Sequence, residues 1–340
     1  GHHAAVMIGG PAVADLDRDG DHEVVATDLN GGVSVWSHTG TRIASMAVNP
    51  DFSRDDPASQ DDHNRTKRGF AGAPSLGDLD GDGTLEIVAG ALDRHLYAWH
   101  HDGTPVAGFP VLLVDPAKVT SVDPVTHFVT FAPGSGVDDG GEIIATPTVA
   151  DLDADGRSEI IIGVQEQYNE TANIGDGAGA LGLLALAGSA GNSRLYVVDP
   201  AGSGASASPV AANHPHAQAY LPGWPAKIAM ATTNLLPSIG DGIAMPATVG
   251  DISDANPGLK IAVASAAGPV YVLGTDGRSV HGTTAAGDIP LRWTAELDLS
   301  GLGTFGPNRN SDDLVASFAG FGGPSVAEMQ GGGRAEVVSP

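Results

Sequence analysis

Three nine-residue segments of this 340-residue chain are nearly identical and rich in aspartate. They are 15–23 (DLDRDGDHE), 78–86 (DLDGDGTLE) and 151–159 (DLDADGRSE), named here loop 1, loop 2 and loop 3. Each has Asp at its first, third and fifth positions, Gly at its sixth and Glu at its ninth. Oxygen donors at alternate positions, a Gly for a sharp turn and a closing carboxylate suit Ca²⁺, which takes about six to eight oxygen ligands. The sequence therefore predicts one metal-binding device used three times.

The predicted ligands are the four carboxylates of each loop, and the seventh residue contributes its backbone carbonyl. They are Asp15, Asp17, Asp19, Asp21 and Glu23; Asp78, Asp80, Asp82, Thr84 and Glu86; and Asp151, Asp153, Asp155, Arg157 and Glu159. Mg²⁺ is less well suited, because it keeps its waters and rarely occupies an all-protein cage. A solvated acidic turn is the alternative, since Asp and Gly are ordinary turn residues. The threefold recurrence of the same spacing favours metal.

An EF-hand is excluded by the position of the closing carboxylate. That motif needs a bidentate Glu at its twelfth position and a helix on each side. The twelfth positions here are Ala26, Ala89 and Ile162. The closing Glu instead runs directly into β-branched segments such as Glu159-Ile-Ile-Ile, which are typical of strands. We therefore expect calcium loops within β-hairpins.

Each loop belongs to a longer repeat. A Pro stands four residues before the first acidic position in four copies and five residues before it in the fourth copy, and a second strand follows the loop, such as Val33–Trp36 or Leu96–Trp99. These prolines are Pro11, Pro74, Pro147, Pro246 and Pro324. With a final strand such as Arg42–Val48, the unit is a four-stranded antiparallel meander. Such sheets need neighbours to bury their faces, so an all-β fold, a β-propeller in one domain spanning 1–340, is predicted, with an insertion at 164–193.

The motifs resemble those of the FG-GAP (VCBS-type) calcium propellers of secreted bacterial proteins and integrin α subunits. Phe70-Ala-Gly-Ala-Pro74, Phe321-Gly-Gly-Pro324 and the segment from Leu96 to Pro110 are similar to that family's patterns. The resemblance implies metal ligands at the positions named above and implies no particular partner.

Two copies depart from the pattern. The fourth, from Asp251 to Lys260, is one residue longer and has Lys where the closing carboxylate should stand. Its ammonium is expected to take the place of the cation, so no calcium is predicted there. The fifth, from Glu328 to Glu336, lacks two of the three Asp ligands, and this copy stops at Pro340 after two strands. We expect five copies within a propeller of about six to eight blades, part of a larger protein, and a further degenerate blade is considered within 111–146.

Composition limits the partners. The formal net charge is −25, and three Ca²⁺ would add six positive charges to give −19. Such acidity argues against nucleic acid or an anionic membrane, and no segment is long and apolar enough to cross a bilayer. Cysteine is absent, so redox usage indicates no compartment. Weak calcium modules fill at extracellular concentrations, so a secreted or cell-surface location is expected.

Three functions remain open. The first is a noncatalytic adhesion module that binds an extracellular protein or glycan, because no catalytic motif is visible. The second is a polysaccharide lyase, with His63, Arg65, Lys67 and Arg68 as candidate residues in the charged loop 51–70. The third is a spacer between other domains of the polypeptide. Binding is expected opposite the calcium loops, in the long connections 49–73, 111–146 and 278–323 and the insertion 164–193. The 199–222 connection is instead expected on the calcium side. Segment 175–191 is expected to form a small helix, and the pairs His100/His101 and His214/His216 are expected to be surface imidazoles.

Overall fold

The computed structural model describes residues 6–53, 57–60, 67–135, 141–166, 168, 193–228, 243–251, 258–264, 267–268, 270–278, 317–318, 325–327 and 336–338. Within these ranges the chain is all-β, and its helical segments are short 3-10 turns at Pro50–Phe52, Pro116–Lys118, Gly202–Gly204 and Ala217–Ala219. The helix expected at 175–191 lies outside the described residues. No helix in the described ranges has the length and apolar character needed to span a membrane.

Three four-stranded sheets follow one another along the chain, each with its strands in sequence order. Sheet 1 comprises β1 (Ala12–Ala14), β2 (Glu23–Thr27), β3 (Gly32–Trp36) and β4 (Arg42–Ala47). Sheet 2 comprises β5 (Ser75–Gly77), β6 (Glu86–Gly90), β7 (His95–Trp99) and β8 (Val111–Leu112). Between sheets 2 and 3 lies a hairpin of β9 (Val119–Val122) and β10 (Val129–Phe131). Sheet 3 comprises β11 (Thr148–Ala150), β12 (Glu159–Val164), β13 (Ser193–Val198) and β14 (Ala226–Ile228).

The later strands continue the pattern. Sheet 4 contains β15 (Thr248–Gly250), β16 (Lys260–Ala264) and β18 (Val270–Gly274), while β17 (Ala267–Gly268) pairs with β19 (Ser317–Phe318). The fifth copy contributes the hairpin of β20 (Ser325–Ala327) and β21 (Glu336–Val338). The antiparallel meanders expected from the sequence are therefore present, with strand bounds close to those predicted. The degenerate blade considered within 111–146 is not observed. Strand β8 completes sheet 2, and the other described residues of this segment contain only the β9–β10 hairpin.

The pairing register repeats between copies. Ala14 pairs with Glu23, Gly77 with Glu86 and Ala150 with Glu159, so eight residues separate the first two strands each time. In sheet 4 Gly250 pairs with Lys260, and the connection is one residue longer. Each acidic loop is thus the turn of a hairpin whose second strand begins with the closing residue.

Successive sheets pack face to face around shared apolar clusters. Phe70 lies between sheets 1 and 2, Ile143 between sheets 2 and 3, and Ile243 between sheets 3 and 4. These residues occupy similar places in the segment that precedes each repeat's proline. The first strands also lie close together, because β1 contacts β5 and β5 contacts β11. A single arrangement of one sheet on the next therefore recurs along the chain.

Backbone hydrogen bonds link each sheet to the segment that precedes it. The amide of Leu29 donates to the Val6 carbonyl and that of Leu92 to the Gly69 carbonyl, both at 2.9 Å. Between successive segments the backbone approaches closely at Gly72, where an added Cβ would lie 2.5 Å from the Ala145 carbonyl oxygen. Only glycine fits there without a shift of the backbone.

Candidate functional site

The three acidic loops have the same internal hydrogen bonds, so they are three copies of one structure. The first Asp of each accepts the backbone N–H of the Gly five residues later: Asp15 from Gly20 at 3.0 Å, Asp78 from Gly83 at 2.9 Å and Asp151 from Gly156 at 3.0 Å. The third-position Asp accepts from the fifth-position N–H, and the fifth-position Asp accepts from the seventh-position N–H. These bonds turn the carboxylates of one loop toward a common interior.

Left-handed backbone conformations close the loops. The fourth position has a φ of 64° at Arg18 and Ala154 and 80° at Gly81. The sixth position is Gly in every loop, and its φ is 95° at Gly20, 88° at Gly83 and 92° at Gly156. Non-glycine residues rarely take this conformation, so its recurrence at Arg18 and Ala154 indicates that the loop hydrogen bonds impose it.

The closing glutamates are buried against the start of their own loops. The Glu23 side chain accepts the Leu16 N–H at 3.0 Å, and Glu86 and Glu159 accept from Leu79 and Leu152, both at 2.7 Å. All three side chains are at most 4% exposed. Burial raises the pKa of Glu86 and raises that of Glu159 to about 7, and the neighbouring carboxylate of Asp80 or Asp153 contributes in the same direction. Each loop therefore concentrates negative charge where water cannot fully solvate it.

Carboxylate oxygens converge in each loop to metal-binding distances. In loop 1 the side chains of Asp15, Asp17 and Asp19 place oxygens within 4.8 Å of one another. In loop 2 Asp78, Asp80 and Asp82 do so, and in loop 3 Asp151, Asp153 and Glu159. One carboxylate oxygen of Asp15, Oδ1, is buried without a hydrogen-bond partner. The donor set is all oxygen and acidic, which fits a hard divalent cation.

The side chains at the seventh position of each loop have partners of their own. Asp21 lies 3.3 Å from His38 Nδ1, and the Thr84 hydroxyl donates to Asp82 at 2.6 Å. Arg157 donates to Asp155 at 3.0 Å and thereby helps to hold the pKa of that carboxyl below its ordinary value.

The fourth copy replaces the closing carboxylate with an ammonium. Lys260 is 6% exposed, and its Nζ donates to the backbone carbonyl of Gly258 at 2.9 Å. A lysine cation thus bonds to loop carbonyl oxygen in the copy that lacks the closing Glu. The positions 252–257 that complete this loop lie outside the described residues.

The histidines depart from the sequence expectation that they are surface imidazoles. His100 Nδ1 lies 3.1 Å from Glu86 Oε1, and Asp80, Glu86 and His100 bring donor atoms within 4.8 Å of one another. His214 is fully buried, and its Nε2 lies 3.1 Å from the Tyr220 hydroxyl. The sequence signal for His100 is its position one residue after Trp99, since the register pairing Ile87 with Trp99 sets His100 opposite Glu86.

The expected location of the 199–222 connection also needs correction. Asp199 follows β13 beside loop 3, but His216 reaches β8, where its Nδ1 accepts the Leu112 N–H at 2.8 Å. Its ring also packs on His127, which belongs to the β9–β10 hairpin. Burial and the neighbouring imidazoles of His127 and His95 lower the pKa of His216 to about 3. This connection therefore runs past the edge of sheet 2 rather than staying on the side of the acidic loops.

A second polar cluster, not anticipated from the sequence, surrounds Glu166 at the end of β12. The Glu166 carboxylate accepts from the hydroxyls of Tyr168 and Tyr196 and, at 2.9 Å, from the Asp115 N–H. Arg194 Nε in turn donates to Asp115 at 3.0 Å. Burial raises the pKa of Glu166 to about 7. Because each oxygen of Glu166 has a partner inside the protein, this cluster joins sheet 3 to the segment after β8.

Two of the four residues considered for a lyase, Lys67 and Arg68, lie among the described residues. Lys67 is 2% exposed. His63 and Arg65 lie outside the described residues. The part of the loop that is described shows Pro57 bridged to Arg68.

Comparisons with known proteins identify no family. No family model matches the chain, and no curated protein matches it. Among solved structures, BBS1N in complex with ARL6DN is 14% identical with a TM-score of 0.38, covering 81% of this chain and 55% of that one. A europium-containing methanol dehydrogenase is 11% identical with a TM-score of 0.43 over 82% of this chain and 44% of that one. The Bacillus licheniformis rhamnogalacturonan lyase PL11 is 15% identical, with a TM-score of 0.39 and coverages of 87% and 45%.

The chain therefore spans about half the length of the solved chains it matches. At such low TM-scores the likeness carries no argument about function. A function for this chain has to be inferred from its own loops and their donor atoms.

Proposed function

We propose that this chain is a calcium-stabilised β-propeller of the FG-GAP kind that acts as a noncatalytic binding module. The observation that carries the proposal is the identical construction of loops 1, 2 and 3. Each gathers carboxylates by the same backbone hydrogen bonds and closes with a buried glutamate. Three copies of one acidic geometry are expected of three copies of one cation site.

The charge within each loop supports a cation on energetic grounds. A buried carboxylate near other carboxylates is costly unless a positive charge compensates it. The raised pKa of Glu159 expresses that cost. A Ca²⁺ held by the oxygens of one loop would remove it, and the flexible coordination of this ion tolerates the sequence differences between loops.

The propeller architecture is supported by the way the sheets follow one another. Four consecutive sheets pack face to face. Sheets 1, 2 and 3 share one register, and their first strands lie in contact. Radial stacking of such units around an axis buries both faces of every sheet except at the ends of the series. On this arrangement the calcium loops stand on one side and most of the long connections on the other.

Binding of an extracellular protein or glycan is proposed for the connections opposite the loops. A rigid scaffold that presents long loops is the usual setting for recognition. The metal would act at a distance, by fixing the hairpins that hold the sheets in register. A secreted or cell-surface location is proposed with it, because weak calcium sites fill at extracellular concentrations.

Calcium titration of the metal-free chain tests the metal proposal. Isothermal titration calorimetry should give a stoichiometry of three, and Glu23→Gln, Glu86→Gln and Glu159→Gln should each lower it by one. A stoichiometry that none of these substitutions alters would refute it. Glycan arrays probed with and without EDTA then test the binding role, which predicts signal only with calcium. Unsaturated products released from polyuronates would show instead that the chain is a lyase.

A further inference from the structure

The three loops differ at the residue that faces the closing glutamate across the hairpin. The strand registers place Ser37 opposite Glu23, His100 opposite Glu86 and Asp199 opposite Glu159. A hydroxyl, an imidazole and a carboxylate thus stand at one equivalent position. Loop 2 alone has a nitrogen donor there.

The imidazole of His100, opposite loop 2, is directed at the carboxylates of that loop. His100 Nδ1 lies 3.1 Å from Glu86 Oε1, and the His100 side chain is 30% exposed while that of Glu86 is fully buried. The Nδ1 atom joins oxygens of Asp80 and Glu86 in a group whose members lie within 4.8 Å of one another. The corresponding groups of loops 1 and 3, within the described residues, contain carboxylates alone.

The equivalent side chains in the other loops have local partners instead. The Ser37 hydroxyl bonds to the Thr39 hydroxyl at 2.8 Å. Asp199 accepts the Ala201 N–H at 2.8 Å. Neither residue belongs to a metal-competent group in the part of the chain that the structure describes. Loops 1 and 3 therefore serve as internal references for loop 2.

Donor type decides which cation each loop prefers. Ca²⁺ takes oxygen ligands, whereas imidazole nitrogen suits Zn²⁺ and its first-row neighbours. A Zn²⁺ ion binds nitrogen and carboxylate oxygen at about 2.0 to 2.2 Å, so its ligand atoms lie about 3 to 4 Å apart. The donor atoms of Asp80, Glu86 and His100 lie within 4.8 Å of one another, so a small contraction would bring them to that separation. A metal at Nδ1 would take the place of the contact between His100 Nδ1 and Glu86 Oε1.

We propose that loop 2 is a mixed nitrogen and oxygen site, which exchanges Ca²⁺ for a zinc-like divalent ion through His100, while loops 1 and 3 remain hard-cation sites. The inference rests on the proposed function in that all three loops are taken to bind Ca²⁺. It assigns His100 a role as a metal ligand that its oxygen-bearing counterparts do not have.

A displacement experiment tests this on the full chain. The protein is loaded with Ca²⁺, free ion is removed, and Zn²⁺ is added while released Ca²⁺ is measured with an indicator dye. One of three bound Ca²⁺ should be released from the wild type and none from His100→Asp, which introduces the residue that loop 3 has at this position. Loss of an outer-shell partner alone weakens metal binding about 10- to 100-fold, so loss of a direct ligand should weaken Zn²⁺ binding no less.

Two further variants and one spectrum make the result decisive. His101→Ala removes the adjacent imidazole and should behave as the wild type. Ser37→His places an imidazole opposite Glu23 and should allow a second Ca²⁺ to be displaced, which keeps the proposal testable even if His100→Asp fails to fold. Long-range ¹H–¹⁵N NMR of the histidine rings should show a metal-induced shift at His100 Nδ1.

The outcomes separate the two proposals. A chain that holds no Ca²⁺ at the start refutes the proposed function itself. A chain that holds three Ca²⁺ but releases none to Zn²⁺ leaves that function intact and overturns the role of His100. Release that persists undiminished in His100→Asp overturns it as well, because the nitrogen donor must then lie elsewhere.

Discussion

Replacement of Glu159 by glutamine should have opposite effects on stability with and without calcium. Glutamine has nearly the same shape and retains a carbonyl oxygen that can accept the Leu152 N–H, now 2.7 Å from Glu159. The substitution therefore leaves packing intact and removes only the negative charge. The change in the free energy of unfolding therefore measures the contribution of that charge to stability.

In calcium the charge of Glu159 should stabilise the folded chain. A site that binds only the folded chain adds about 2.7 kcal/mol when the free ion is at a hundredfold excess over Kd. Glu159→Gln should lose most of that contribution at loop 3, because the proposed calcium site uses the closing carboxylate both as a ligand and as a counter-charge. The other two loops keep theirs.

In EDTA the same charge is destabilising. Burial raises the pKa of Glu159 from its ordinary 4.5 to about 7. Above pH 7 the buried ionised group therefore reduces stability by up to about 3 kcal/mol relative to a neutral one. Glu159→Gln should relieve that cost and raise the melting temperature of the metal-free chain.

Differential scanning fluorimetry above pH 7, in EDTA and in millimolar calcium, measures both effects. Glu142→Gln is the control, since Glu142 is also buried but stands outside the acidic loops. It should shift the melting temperature equally in the two buffers. If Glu159→Gln lowers stability by the same amount with and without calcium, the carboxylate is only a structural hydrogen-bond acceptor and the reasoning is wrong.

Three further predictions concern the scaffold. Glu166 has its pKa raised to about 7 by burial, so the folded state keeps a proton that the unfolded state releases. In denaturant titrations the free energy of unfolding should therefore fall by up to about 3 kcal/mol between about pH 4.5 and pH 7. If the same pH dependence is found in Glu166→Gln, another group is responsible for it. Phe70→Ala should cost about 3–5 kcal/mol in the same assay, since the side chain is fully buried between sheets 1 and 2; a cost under about 1 kcal/mol would mean that this interface is loosely packed. Gly72→Ala should lower the melting temperature, because the new Cβ meets the Ala145 carbonyl oxygen at 2.5 Å, whereas Gly10→Ala, with open space around its Cα, should leave it nearly unchanged.

Much of the fold could be predicted because its signals are local. The Pro that precedes each repeat and the closing glutamates locate the successive hairpins, and β-branched runs such as Glu159-Ile-Ile-Ile indicate the strands. The observed strand β12 begins at Glu159, as that pattern predicts. The extra residue in the fourth copy likewise appears as a longer connection between Gly250 and Lys260.

Some predictions failed where connections fold back on the sheets. Segment 111–146 was considered as the place of a further blade, but its first residues complete sheet 2 and its middle forms a two-stranded hairpin. His214 was expected at the surface and is fully buried beside Tyr220. The turn-like composition around Pro215 does not indicate that the neighbouring histidines pack against β8, as His216 does at Leu112.

The acidic loops were determined by the sequence alone, because their hydrogen bonds join residues two to seven positions apart, as between Leu16 and Glu23. Such contacts depend on the order of residues and hardly on what surrounds them. The placement of His100 against Glu86 required the hairpin register, and the pairing of Asp115 with Arg194, 79 residues later, required one sheet to stack on another. Only the tertiary structure could decide these contacts, since packing of distant segments brings together groups whose spacing in the chain carries no periodic signal.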